Sequence, residues 1–250
     1  MNMKFLAATI ISFCFIISLV NATSIDVKIN PLLKGEINYF NYNISDTPVL
    51  FDIEFFNSGS FAYNTRIRLD IFNNDEKIFT GWSKKHNFFP GNTHTNKIYW
   101  YINEKGNFTI IPRVYFANEI VELDEINTEK QTTTETENIF DIKQVKVYDN
   151  TITFTLTSNQ SARDIKIIPK KFVPGWIIEQ ETLISLEPNE MKKISLYYEP
   201  TVWSSRDIII EIVSDDGKYY SEKTLKMRKQ KSRLALFREL LLTYFLFMLV

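Results

Sequence analysis

Residues 151–157 read Thr-Ile-Thr-Phe-Thr-Leu-Thr, a run in which every second side chain is apolar. A period of two places one face of a strand on a core and the other in water, and a helix cannot gather such a run on one side. Similar runs recur at residues 49–57 (VLFDIEFFN), 65–72 (TRIRLDIF), 97–101 (KIYWY), 106–115, 164–168, 192–198 (KKISLYY) and 207–213 (DIIIEIV). Between them stand turn residues: Asn57-Ser58-Gly59-Ser60, Phe88-Phe89-Pro90-Gly91-Asn92, Leu186-Glu187-Pro188-Asn189-Glu190 and Asp215-Asp216-Gly217. Short strands at this spacing predict an all-β body made of two-sheet sandwiches. The residue usage agrees, since 20 Phe and 12 Tyr against 7 Gly suit a pleated, half-buried surface.

The segment 55–72 is expected to be a hairpin turning through residues 57–60, with Gly59 taking a positive φ. Phe51, Ile53, Phe55, Ile67, Leu69 and Ile71 should then be buried, while Asp52, Glu54, Arg66 and Arg68 face water. Residues 128–138 hold no large apolar side chain, so they read as a polar linker between two folded units. The organisation expected is a signal peptide (1–23), a first sandwich (24–127), the linker (128–138), a second sandwich (139–227), and a basic cluster with a C-terminal hydrophobic helix (228–250).

Several short motifs in the first unit carry a resemblance. Asn57-Ser58-Gly59 with Ala62, then Phe89-Pro90-Gly91, Gly106-Asn107-Phe108 and Glu122-Leu123-Asp124-Glu125-Ile126-Asn127 occur in an order that resembles the cell-adhesion-related (CARDB) domain of bacterial and archaeal surface proteins. The likeness covers roughly residues 25–127. It implies an immunoglobulin-like sandwich in an envelope protein, with no catalytic residues to carry over; Tyr115-Phe116-Ala117-Asn118 stands where that family tends to have an Asp-rich turn. In the second unit Gly175-Trp176 and the Leu186-Glu187-Pro188 turn resemble the sandwich module associated with carbohydrate-binding regions of some glycosidases. That likeness implies a second structural β module. The fold expected is therefore two tandem immunoglobulin-like sandwiches.

The ends read as addresses. Lys4 precedes an apolar run over residues 5–20, and Asn21-Ala22-Thr23-Ser24 offers small residues for cleavage, the pattern of a secretory signal peptide. Its only cysteine, Cys14, lies in that run, so the exported chain would carry no thiol and no disulfide. Residues 234–250 are apolar apart from Arg238 and Glu239, and they span roughly 25 Å as a helix. Leu240, Leu241, Leu242, Phe245 and Phe247 would anchor this segment in lipid, whether it spans, lies in the interface or packs on the body. The preceding Lys226-Met-Arg-Lys-Gln-Lys-Ser-Arg233 would attract anionic headgroups, yet on an exported body it runs against the positive-inside tendency.

Chemistry is sparse. With 29 Lys and Arg against 30 Asp and Glu, a net charge of -1 gives no field to recruit nucleic acid. His86 and His94 flank a turn without metal-ligand spacing and read as loop histidines; no phosphate loop or nucleophile elbow occurs, so no enzyme, metal or cofactor is expected. Glu119, Glu122, Asp124 and Glu125 read as a solvated strand end, and Trp82, Trp100, Trp176 and Trp203 as core aromatics before sugar platforms. Asn43, Asn107 and Asn159 each open an Asn-x-Ser/Thr sequon suited to glycosylation of an exported loop. These features favour a non-enzymatic, membrane-anchored surface protein, a spacer, scaffold or adhesion module whose partners are membrane lipid and an envelope protein or glycan. The alternative is a substrate-recognising accessory subunit of a membrane-bound enzyme.

Overall fold

A computed structural model describes residues 32–116, 119–200 and 207–227. The signal peptide, the anchor residues Leu240, Leu241, Leu242, Phe245 and Phe247, and Trp203 lie outside the described residues. No helix among the described residues is long and apolar enough to cross a membrane.

The first sandwich is built from β1 (Glu36–Tyr42), β2 (Val49–Phe56), β3 (Tyr63–Asn73), β4 (Glu76–Trp82), β5 (His86–Phe88), β6 (Thr93–Trp100), β7 (Gly106–Phe116), β8 (Glu119–Glu122) and β9 (Ile126–Lys130). One sheet has the order β1-β2-β6; the other has β4-β3-β7-β8, with β5 on β3 and β9 on β7. The second sandwich contains β10 (Phe140–Val147), β11 (Thr151–Ser158), β12 (Ala162–Lys171), β13 (Ile177–Ile178), β14 (Glu181–Leu186), β15 (Met191–Glu199), β16 (Ile208–Ser214) and β17 (Tyr219–Leu225). Its sheets run β10-β11-β15-β13 and β14-β12-β16-β17. In both units the first, second and sixth strands share one sheet while the third pairs with the seventh in the other, the arrangement of an immunoglobulin-like sandwich.

The apolar alternation decides the cores. Val49, Phe51, Ile53 and Phe55 of β2 are buried against Ile67, Leu69 and Ile71 of β3, and Ile98, Phe108, Ile110 and Val114 fill the same space. In the second unit Ile152, Phe154 and Leu156 meet Ile165, Ile167, Ile208, Ile210 and Ile212 around Trp176. Each such side chain contributes about 1.5–3 kcal/mol on leaving water. The expected turns form: Asn92 N–H donates to the Phe89 carbonyl (3.1 Å) with Gly91 at φ 77°, and Glu190 N–H donates to the Glu187 carbonyl (3.0 Å) with Asn189 at φ 61°. Pro at the second place and positive φ at the third is the type II pattern.

The segment 55–72 is not a hairpin. β2 pairs with β1 and β6, and β3 with β4, β5 and β7, so the two strands lie in opposite sheets and face each other across the core. Residues 57–62 arch between the layers, held by Asn57, whose buried amide donates to the Phe61 and Phe88 carbonyls and whose Oδ1 accepts from Gly59 N–H. Gly59 is needed for a different reason from a positive φ: a Cβ there would lie 2.4 Å from the Leu32 carbonyl oxygen, where the chain leading into β1 crosses the arch. The expected inward set is buried throughout. Arg66 and Arg68, expected in water, are not: Arg66 is buried and Arg68 half-buried.

The stretch 128–138 also differs from a free linker. Residues 128–130 complete β9, and Lys130 is 2% exposed, its amine donating to the carbonyls of Ile44 and Asp46 and to the Thr47 hydroxyl. Burial lowers its pKa. Asn103 grips Thr134 through both its amide and its oxygen, and Glu137 exchanges backbone hydrogen bonds with Lys218 and Tyr220. Polar side chains and backbone do the holding here, which a search for apolar residues passes over.

Candidate functional site: the junction of the two sandwiches and its cleft

β12 and β16 do not alternate. Residues 165–169 and 210–214 are buried continuously, so both faces of these strands are covered, one by their own sandwich and the other by the first. Ile168 and Val213 belong to the hydrophobic cluster of the first sandwich, with Tyr220 packed against it. The outer face of β3 is covered too, Arg66 by Glu179 and Glu199 of the second sandwich and Asp70 by Arg68, Arg113 and Thr80 of its own sheet.

Directional polar contacts fix the orientation. Arg66 donates from Nη1 to Glu199 (2.8 Å) and from Nη2 to Glu179 (3.1 Å), and its guanidinium lies 5.2 Å from the Tyr197 ring centre. Glu179 also accepts from Lys85 N–H at 3.1 Å. Gln180 pairs with the backbone of Tyr99 as a strand would, accepting from its N–H and donating to its carbonyl, both at 2.6 Å. The Lys166 amine sits 4.7 Å from the Tyr99 ring centre, and Lys84 pairs with Glu181 at 3.1 Å. Beyond them Tyr101 and Tyr220 stack with ring centres 4.3 Å apart.

Beside this junction opens a cleft of about 820 Å³. One wall carries Arg68, Lys77 and Trp82, the other Lys170, Glu211 and Tyr220. Asp70, behind the first wall, holds Arg68, Arg113, Lys77 and the Thr80 hydroxyl. Glu211 is 1% exposed and accepts from Lys170 (2.8 Å) and the Tyr220 hydroxyl (3.1 Å). Burial pushes the Glu211 carboxyl up, against the pull of Lys170 and Tyr220. Burial and the Glu211 charge push the Tyr220 hydroxyl up too, and Tyr101 to about 12. These phenols stay protonated at neutral pH, and the Glu211 and Glu222 carboxylates are both paired with Lys170. The arrangement suits holding charged or hydrogen-bonding groups better than transferring protons.

The expected site residues lie elsewhere. Asn43, Asn107 and Asn159 are exposed, in the β1–β2 loop, at the start of β7 and in the β11–β12 turn. Asn43 is tied locally, donating to Asp46 and accepting from Ser45 N–H. Trp82, Trp100 and Trp176 are buried; Trp82 packs at a tilt against Tyr115 and lies under Arg68. Glu119, Glu122, Asp124 and Glu125 are exposed, and Glu122 pairs with Arg113 at 2.6 Å. His86 and His94, separated by seven residues, stand with ring centres 3.7 Å apart. The junction residues Arg66, Glu179, Gln180, Glu199 and Glu211 were not anticipated. The one signal for them is the unbroken apolar run Ile208-Ile209-Ile210 with Glu211 inside it, a pattern of a strand covered on both faces.

No protein-family model and no curated protein matches the chain. Among solved structures it is similar to red sea bream transglutaminase (10% identity, TM-score 0.27, covering 81% of this chain and 32% of that one). It is also similar to the Amycolatopsis orientalis exo-chitosanase CsxA (12% identity, TM-score 0.25, 76% and 26%). A third is the CsuC-CsuE chaperone-tip adhesion subunit pre-assembly complex of Acinetobacter baumannii (11% identity, TM-score 0.24, 77% and 100%). The chain thus spans about a third or less of the length of the first two.

Proposed function

We propose that this chain is a non-enzymatic surface element, exported and held at the outer face of a membrane, that acts as a spacer, scaffold or adhesion module. The observation that carries the reading is the junction: Ile168 and Val213 enter the first core while Arg66 and Gln180 lock the orientation, so the two sandwiches move as one stiff body. A stiff body holds whatever it presents at a set distance and angle, which a flexible tandem cannot do. The signal-like N-terminus and the apolar C-terminus with its basic cluster supply export and attachment. The CARDB-like motif order of the first sandwich fits the same setting. The cleft favours a second reading, a substrate-recognising accessory subunit, because its paired charges would orient a polar ligand for a catalytic partner.

The test is external protease on intact cells and a carbonate wash of their membranes, followed by cross-linking and recovery of partners. Cleavage from outside, retention through the wash and recovery of envelope proteins or glycans support the spacer or adhesion reading. Loss of the chain in the wash, or protection from protease, overturns it. Recovery of an enzyme whose substrate affinity falls when the chain is deleted establishes the accessory subunit.

A further inference from the structure

We propose that His86 and His94 form a two-imidazole site for a borderline divalent transition-metal ion, of the zinc, nickel or copper kind, that staples the two sheets of the first sandwich together. His86 opens β5, which belongs to the six-stranded sheet, and His94 lies in β6 of the three-stranded sheet. The type II turn at residues 89–92 brings them together at one edge of the sandwich, with ring centres 3.7 Å apart and planes at 41°. Phe88 backs both rings edge-on, at 6.4 and 5.8 Å, so the pair rests on a rigid apolar floor. His94 is exposed and His86 half-buried, which leaves a path for an ion.

Among the described residues neither imidazole makes a hydrogen bond to the protein, so no side chain or backbone group competes for its ring nitrogens. Imidazole nitrogen donors do not suit magnesium or calcium, which take oxygen ligands, and do suit zinc, nickel and copper. With nitrogens about 2.1 Å from a shared ion, the ring centres would stand roughly 4.5 to 5 Å apart, so an opening of about 1 Å by the exposed His94 ring completes the site. No three of the His, Cys, Asp and Glu side chains among the described residues gather around one point, so the remaining coordination positions stay open to water.

The chain has only 2 His, which makes the test direct. Proton NMR of the full chain, in detergent micelles, shows the carbon-bound protons of both imidazoles, and paramagnetic nickel should broaden the two sets together at substoichiometric amounts. Zinc should raise the melting temperature in a saturable way, because it binds the folded pair and meets no such pair in the unfolded chain. Magnesium should do neither. His86→Gln and His94→Gln should each remove the zinc effect, with an unchanged near-ultraviolet circular dichroism spectrum showing that the sandwich is intact. Equilibrium dialysis with nickel gives a second measure that does not depend on stability, expected to fall at least tenfold in either variant. Broadening of one ring alone, a zinc effect that survives either substitution, or no saturable binding by the unsubstituted chain would each overturn the proposal.

Discussion

Arg66 is an arginine in the middle of an alternating strand, yet it sits under a neighbouring sandwich and forks to two carboxylates. Breaking it leaves Glu179 with little solvent, so Arg66→Ala should cost about 1–3 kcal/mol in denaturant unfolding. Arg66→Lys should recover little of that, because one ammonium cannot span both carboxylates and stack on Tyr197. The same contact has a pH signature. The hydrogen bond from Arg66 holds the Glu199 carboxyl below the ordinary 4.5. A depressed carboxyl contributes its stability above the unfolded value and loses it as pH falls through the folded one. Wild-type chain should therefore exceed Glu199→Gln in melting temperature at pH 6, and the gap should narrow once pH falls below 4.5 and close as it passes the lower folded value. Glu199 is about half exposed, so added salt should also narrow the gap. A gap that ignores both pH and salt would mean that Glu199 acts by packing alone.

At the scale of the element, period-two runs told which residues are inside but not which strands are neighbours. A hairpin and an arch put the same side chains inward, and only the six residues 57–62 differ in what they must do. Their choice is made by partners remote in sequence: β2 finds β6, pairing Val49 with Trp100, and β3 finds β7, pairing Ile67 with Val114. Two aliphatic residues of similar size test the burial. Leu69, fully buried midway along β3, should lose about 2–5 kcal/mol on change to Ala. Ile184, on the edge strand β14 and 91% exposed, should change stability by no more than about 0.5 kcal/mol in Ile184→Ala. Chemical denaturation of both variants separates the cases, and equal losses would refute the assigned faces.

The molecule as a whole should unfold as one. Because Ile168 and Val213 of the second sandwich complete the first core, opening the second unit strips the first of part of its interior, and opening the first uncovers the outer face of β12 and β16. Residues 32–227 should accordingly show a single transition, with tryptophan fluorescence and far-ultraviolet circular dichroism coincident. Two separated midpoints would show the junction to be weaker than its contacts. Read alone, the sequence determined the all-β class, the inward faces of β2, β3, β11 and β15, and the turns at Gly91 and Asn189, because these follow from side-chain period and local φ preference within a few residues. It placed the histidines in loops without bringing them together, since two residues flanking a turn can point together or apart depending on how that turn lies across the sandwich. Tertiary structure alone decided the arch at 57–62, the burial of Arg66, Asp70, Lys130 and Glu211, and the union of the sandwiches. A charged residue declares itself buried only through the partners that neutralise it, and those of Arg66, Glu179 and Glu199, stand more than a hundred residues away.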